Sequence, residues 1–189
     1  MPKLNDGMLL YHGSYLAVPE IDLGACKVGK DFGRGFYVTS SYDQAHSFVR
    51  LSVKRQIKEG ALSPDHGVGA VSVYRLHLAD ALSLHMFEHA DEEWLHFVAG
   101  NRRLDLFPGV LDAFREVDIV GGKIANDRTA RTLQLYVAGG YGEPGTPEAD
   151  AIAIQTLLPN RLDDQFCFRT DAAVRALEFV RSDHYDALA

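Results

Sequence analysis

The stretch DFGRGFYVTS, residues 31–40, sets two glycines around an arginine and then enters an aromatic and β-branched segment. Glycines at this spacing are typical of a tight turn, and residues 36–39 have the composition of a short strand. Ser40 and Ser41 follow as candidate helix N-caps, with Gln44 three residues after Ser41 as in a capping box. We therefore predict a turn, a strand and a helix in direct succession.

Hydrophobic residues at helical spacing continue from this N-cap to Gly60, which we expect to end the helix. Further helices are predicted over residues 91–99, 126–137 and 147–158. A last helix is predicted to begin at Thr170 and to carry its apolar face as far as Val180. Strands are predicted over residues 8–12, 70–78, 118–120 and 165–168.

Strands and helices are mixed here without a regular βαβ alternation. This order favours an α+β fold with a largely antiparallel sheet over a Rossmann fold. We expect a single domain over residues 1–189, because that length suits one full core.

Composition narrows the function classes. Nineteen Lys and Arg stand against 26 Asp and Glu, for a net charge of −7, so nonspecific nucleic-acid binding is not expected. No apolar run approaches the roughly 18 residues of a membrane span, and the first ten residues do not resemble a signal peptide. Cys26 and Cys167 are expected to be reduced thiols. We expect a cytoplasmic protein with no membrane partner.

Three segments depart from what a core requires. The first, Leu10-Tyr11-His12-Gly13-Ser14, ends a predicted strand with an imidazole and a bare backbone. It suits either a ligand anchor or a hydrogen-bonded structural histidine. In the second, residues 31–40, the glycines admit a flat ligand and Tyr37 can stack on it, although a buried turn would look the same. Neither a phosphate loop nor a dinucleotide fingerprint is present.

The third segment, residues 163–168, places two carboxylates and an amide before an apolar strand. A polar strand start needs no function. In order and kind, Tyr11-His12-Gly13-Ser14, Gly33-Arg34-Gly35-Phe36-Tyr37 and Gln165-Phe166-Cys167-Phe168 nevertheless resemble the ADP-ribosyltransferase superfamily, in its poly-ADP-ribose-polymerase-like branch. More closely, the chain looks like a bacterial uncharacterised group of His-Tyr-Asp type, through residues 31–37, 118–121, 125–127 and 164–165.

This resemblance implies an ADP-ribosyltransferase-like split antiparallel β-sandwich with surrounding helices, which binds NAD as its substrate in an extended cleft. It implies that His12 bonds the adenosine-side ribose, that the Gly13 backbone holds the nicotinamide amide and that Tyr37 stacks on the nicotinamide. One of Gln44, Ser47 and Phe48 would add a second nicotinamide contact. The remaining implied binding residues are Tyr11, Ser14 and Gly35.

The resemblance also implies a glycosyltransferase that moves ADP-ribose from NAD to a macromolecule and releases nicotinamide. The usual catalytic Glu position is Gln165, which cannot take a proton or offset a cation with full charge. We expect Gln165 to orient the ribose and Asp164 or Asp127 to supply the charge. On a regular strand Asp164 would face away from Gln165.

The expected reaction is mono-ADP-ribosylation of an unknown acceptor, a protein rather than a nucleic acid. A toxin or effector role restrained by a small partner or antitoxin protein would fit the resemblance. Three alternatives stay open: a catalytically weak NAD-binding or partner-binding module, an NAD glycohydrolase, and an RNA 2′-phosphate transferase. The last would need several cations near the phosphates, for which Arg34 is the candidate.

Residues 85–89 carry two histidines four apart, and His96 follows. On a helix such a pair can bind zinc. No cysteine lies nearby, so we expect solvated or capping histidines and no metal. Arg102 and Arg103 are expected to form a surface pair.

Overall fold

The structure is a computed structural model that describes residues 3–123, 127–157 and 164–187. The described part of the chain contains seven strands: β1 (Leu9–Ser14), β2 (Phe36–Val38), β3 (Val68–Leu76), β4 (Leu84–Met86), β5 (Ile119–Lys123), β6 (Asp164–Phe168) and β7 (Leu177–Asp186). Its helices are α1 (Tyr42–Lys58), α2 (Glu92–Arg102), α3 (Pro108–Ala113), α4 (Asp127–Val137), α5 (Pro147–Leu157) and α6 (Asp171–Arg175), with a 3-10 turn at Leu23–Ala25. No helix in these ranges combines the length and the apolar character that crossing a membrane requires.

The strands form two sheets. One has the order β1-β3-β7 and is antiparallel throughout; the other has the order β2-β6-β5-β4, in which only β4 and β5 run parallel. The predicted α+β class and the largely antiparallel pairing are therefore confirmed.

The two sheets share one buried cluster. Leu10 and Tyr74 come from the three-stranded sheet, and Phe36, Phe166 and Phe168 come from the four-stranded sheet. A second buried cluster lies against the other face of the four-stranded sheet, where α2, α4 and α5 pack together through Trp94, Phe97, Leu133, Tyr136 and Ala153. Burying this apolar surface provides the main favourable free energy of folding.

A pair of backbone hydrogen bonds joins the sheets at one edge. The N–H of Tyr11 donates to the carbonyl of Thr39 at 2.9 Å, and the N–H of Thr39 donates back to the carbonyl of Tyr11 at 2.9 Å. Because Thr39 directly follows β2, this bridge fixes the end of β1 beside the end of β2.

The prediction of a helix from Thr170 through Val180 is wrong beyond its first turns. Thr170 caps α6 as expected, but the helix ends at Arg175 and Leu177 begins β7. The free edge of β3 decides the outcome, since β7 pairs with it along its whole length. Leu177 and Phe179, two residues apart, both pack into the core, which is the spacing of a strand.

Gly13 permits the close packing of β1 on α1. A Cβ added to Gly13 would lie 1.9 Å from the carbonyl oxygen of Ala45. We expect Gly13→Ala to lower the free energy of unfolding by about 3 kcal/mol, the upper end for an overpacked site. Urea denaturation followed by circular dichroism measures this change.

The matched control is Gly7→Ala. Gly7 has a φ of +77° and nothing within 4 Å of the added Cβ, so only backbone strain of about 1 kcal/mol is expected. Equal losses in the two variants would contradict the proposed packing of β1 on α1.

Candidate functional site

A cleft of about 670 Å³ opens where the ends of β1 and β2 meet the first turns of α1. The loop of residues 16–35 closes one side of it. The volume lies within the range of about 300–1,000 Å³ that is usual for small-molecule sites. Of the sequence-predicted residues, its wall contains Tyr11, His12, Gly13, Ser14, Gly35, Tyr37, Gln44, Phe48 and Gln165.

His12 is held in one tautomer. Its Nδ1 lies 2.7 Å from the carbonyl oxygen of Tyr37, which can only accept, so Nδ1 carries the hydrogen. The ring packs against Phe36 with 4.5 Å between centroids. Burial lowers the pKa of His12, although the bond to Tyr37 opposes this shift. His12 therefore presents a neutral ring whose Nε2 is an acceptor.

Tyr37 is fixed at its hydroxyl. That group donates to the carbonyl of Gly33 at 2.6 Å and accepts the N–H of Phe32 at 3.0 Å. The ring runs nearly parallel to that of Phe32, with 13° between the planes. Burial raises the pKa of Tyr37 well above its usual value, so the hydroxyl stays protonated. The ring is a rigid, neutral wall of the cleft.

The peptide groups of Gly13 face the cleft. Successive residues of a strand direct their N–H and C=O groups to alternate edges. The N–H and C=O of Tyr11 bond to Thr39. The N–H and C=O of Gly13, two residues later, point to the same edge of β1, beyond the bridge to Thr39. A donor and an acceptor thus stand side by side at the end of β1.

Gln44 is also positioned by its neighbours. The side chain of Ser41 accepts the N–H of Gln44 at 3.2 Å, which confirms the predicted N-cap. The reciprocal half of a capping box is replaced, because the Gln44 side-chain oxygen accepts from the hydroxyl of Thr39. The Gln44 amide NH₂ is left as a donor at the cleft wall.

Gln165 and Asp164 fall on opposite faces of β6. Gln165 shares a face with Cys167, which pairs with Tyr37, and it lines the cleft. Asp164 points to the other face and is not part of the wall, as strand alternation predicts. Asp127 is the first residue of α4, and its side chain lies outside the part of the chain that the structure describes.

The positions of two further predicted binding residues, Ser47 and Gly35, show whether they can contact a ligand. Ser47 is exposed on α1 and does not line the cleft, whereas Phe48, its neighbour, does. Gly35 sits so close to β6 that an added Cβ would lie 2.5 Å from the Cys167 sulfur and 2.6 Å from the Phe168 carbonyl. Its role is to let β2 meet β6 at the base of the cleft.

The sequence did not reveal the ion pair between Asp31 and Arg102. Arg102 Nε and Nη2 lie 2.8 and 2.7 Å from Asp31 Oδ1, and both residues line the cleft. The expectation of an exposed Arg102–Arg103 pair is wrong for Arg102, whose side chain is 19% exposed. Helix α2 runs past residue 99, the expected end, and its last turn faces Asp31. Extending the helical spacing of residues 91–99 by one turn would have placed Arg102 on α2.

Arg34 is used within the loop. Its Nε donates to the Leu23 carbonyl at 3.1 Å and its Nη2 to the Gly24 carbonyl at 3.0 Å. It does not belong to the cleft wall. Two other cations do belong to it: Lys30, which the sequence did not single out, and Arg55, which the sequence places on the solvated face of α1 and which is exposed there.

The helix on which His85 and His89 could form a zinc pair is not present, because His85 lies on strand β4 and its ring packs against Phe87 and Phe114. His96 instead lies beside Asp150, with 2.6 Å between Nε2 and Oδ2. Glu92 completes a group whose ligand atoms lie within 4.8 Å of one another. Asp150 also accepts from the Tyr136 hydroxyl and from the N–H of Gly145. This network ties α2 to α5 and lies outside the cleft wall.

Residues 8–179 match the model of a family described as a protein of unknown function, DUF3990. The chain belongs to this family. The match contains every residue of the cleft wall, so the cleft lies within the family domain. A search of curated proteins finds no match to the chain.

The neutral state of the half-buried His12 predicts how stability depends on pH. Below about pH 6.5 the unfolded chain binds a proton at His12 that the folded chain does not bind. The contribution of His12 is therefore fully present above that pH and is lost as the pH falls below it. In His12→Gln we expect a weaker loss of stability than in the wild type between about pH 6.5 and 5.

Urea denaturation at several pH values measures the two slopes. The His12 ring signal in a proton NMR titration, identified by its absence in His12→Gln, reports the pKa directly. A His12 that titrates at or above the usual histidine value would contradict the neutral state of His12.

Proposed function

We propose that the protein is an NAD-dependent mono-ADP-ribosyltransferase with the split β-sandwich of that superfamily. It transfers ADP-ribose to a macromolecular acceptor, a protein rather than a nucleic acid, and releases nicotinamide. The observation that carries the proposal is the convergence of His12, Gly13 and Tyr37 on one cleft from two different sheets. His12 and Tyr37 are 25 positions apart in the sequence, and the backbone bridge between Tyr11 and Thr39 brings them together.

The nicotinamide end of the cleft matches the chemistry of a primary carboxamide. Such a group offers NH₂ donors and a C=O acceptor, and the Gly13 C=O and N–H complement both. The Tyr37 ring supplies a flat apolar face for the pyridine ring. The hydroxyl bonds to Gly33 and Phe32 hold that ring in place before the ligand arrives, which reduces the ordering cost of binding.

The ribose groups match the acceptors of the wall. A neutral His12 with hydrogen on Nδ1 accepts a hydroxyl of the adenosine-side ribose at Nε2. Gln165, on the β6 side of the cleft, can both accept and donate to a second hydroxyl. With the nicotinamide ring held by Tyr37 and the nicotinamide ribose held by Gln165, the C1′–N1 bond of NAD is fixed in orientation.

The reaction breaks the bond between ribose C1′ and nicotinamide N1, and the bonding electron pair leaves with the nicotinamide. Positive charge develops on the ribose, as in glycoside cleavage. A nucleophile of the acceptor forms the new bond at C1′ and loses its proton to solvent. We assign the opposing negative charge to Asp31, because it lines the cleft and because its charge, after burial and Cys167, is one of the causes that raise the pKa of Tyr37. Both Arg102 contacts go to Oδ1, so Oδ2 is the oxygen available to the ribose.

A second candidate is an NAD-binding module with little catalysis. The neutral Gln165 favours it, since this side of the cleft has no full charge to offset the forming cation. NAD hydrolysis is the same chemistry with water as the acceptor. An RNA 2′-phosphate transferase has less support, because Arg34 is engaged by the Leu23 and Gly24 carbonyls.

The test is incubation of the protein with NAD labelled on the adenylate and, separately, on the nicotinamide, with and without cell lysate. We expect released nicotinamide in both samples and adenylate label on a lysate protein. Gln165→Glu should release nicotinamide faster, because it adds a charge beside the forming cation. Asp31→Asn should be slower by about 10²-fold, the scale of one lost electrostatic contact in a transition state.

Asp164→Asn is the matched control. It removes the charge of a carboxylate next to Gln165 on β6 that is not part of the cleft wall, so the rate of nicotinamide release should stay unchanged. Binding of NAD without nicotinamide release, in the wild type and in Gln165→Glu alike, would assign the protein to the non-catalytic module. A loss in Asp164→Asn as large as that in Asp31→Asn would contradict the assignment of the charge to Asp31.

A further inference from the structure

Two cations of the cleft wall have no role in the chemistry described above. Lys30 precedes Asp31 at the end of the loop and is half-buried, and Arg55 is an exposed residue of α1 that lines the cleft. The Arg55 guanidinium carbon is 5.9 Å from the centroid of Phe48, two helical turns earlier on the same side of α1. Because Phe48 lines the cleft, this stacking holds the Arg55 head group at the cleft wall.

The carboxylates near these two cations are engaged elsewhere. Asp31 pairs with Arg102 at 2.7 Å, and Glu59 pairs with Lys27 at 2.9 Å. Among the described residues, neither Lys30 nor Arg55 lies within ion-pair distance of a carboxylate. Burial lowers the pKa of Lys30, and the charges of Arg55 and Lys27 lower it further. The charges of Asp31 and Glu59 oppose this shift. Lys30 and Arg55 line the same cleft, where their like charges are unfavourable to each other.

Two cations on one cleft wall, neither of them in an ion pair with a carboxylate, are the electrostatic complement of a dianion. A diphosphate carries its charges on adjacent phosphates and offers several acceptor oxygens to ammonium and guanidinium donors. Binding it would replace the repulsion between Lys30 and Arg55 by two charge-assisted contacts. Arg102 does not compete for this role, because Asp31 already holds it.

We propose that Lys30 and Arg55 form a diphosphate subsite at the mouth of the cleft, held in place by the stacking of Arg55 on Phe48. This inference rests on the proposed function, since the diphosphate would be the pyrophosphate bridge of NAD. It places the adenylate half of the ligand toward the loop of residues 16–35 and the middle of α1. The nicotinamide half then lies toward Gly13 and Tyr37.

The test is calorimetric titration with ADP-ribose, which carries the diphosphate but no nicotinamide. We compare the wild type with Lys30→Gln, Arg55→Gln and Lys54→Gln. Lys54 is the matched control, an exposed cation beside Arg55 on the same helix and outside the cleft wall. Each of the first two variants should weaken ADP-ribose binding by about tenfold or more, the worth of one charge-assisted hydrogen bond. Lys54→Gln should stay within about twofold, the small effect of an exposed charge.

Inorganic pyrophosphate should compete with ADP-ribose for binding to the wild type. In Lys30→Gln, pyrophosphate should no longer reduce ADP-ribose binding. Nicotinamide alone should bind all four proteins equally. Equal effects of Lys30→Gln, Arg55→Gln and Lys54→Gln would overturn the subsite. If ADP-ribose binding depends on Lys30 and Arg55 while NAD is neither cleaved nor bound through Tyr37, the subsite stands and the transferase proposal fails.

Discussion

Two backbone hydrogen bonds between Tyr11 and Thr39 hold the edge of the three-stranded sheet against the end of β2. The arrangement of the cleft depends on them. They set His12 beside the carbonyl of Tyr37, which fixes the imidazole tautomer. They also use the peptide groups of Tyr11 and so direct those of Gly13 into the cleft. Because bonds of this kind are costly to leave unmade once buried, the two sheets cannot separate here without losing the site.

The loop of residues 16–35 forms the cleft wall opposite the end of β1 and the first turns of α1. Contacts to other elements make this loop rigid. Gly33 has a φ of +83°, and an added Cβ would lie 2.7 Å from the side-chain oxygen of Asn101 on α2. The Tyr37 hydroxyl and the Arg102–Asp31 pair tie the same loop to β2 and α2. A flat ligand would thus enter between two walls that are already positioned, which limits the entropy lost on binding.

Local sequence patterns were sufficient for the elements that build the cleft. The turn, strand and N-capped helix of residues 31–60 follow from glycine spacing, strand composition and the Ser41 cap, and alternation along β6 separates Asp164 from Gln165. Features that depend on distant partners were not predictable in this way. Residues 177–186 form a strand because they pair with the edge of β3. His85 lies on a strand because β4 pairs with β5. Arg102 lies at the cleft because it forms an ion pair with Asp31. The nicotinamide role of Tyr37 and the ribose roles of His12 and Gln165 remain predictions.

The position of the nicotinamide ring in crystals grown with NAD tests the central claim most directly. We expect the ring to lie face-on to Tyr37 at a contact distance of about 4 Å, with its carboxamide bonded to the N–H and C=O of Gly13. A ribose hydroxyl should donate to His12 Nε2. NAD bound elsewhere on the protein, or bound in this cleft with its carboxamide away from Gly13, would contradict the account.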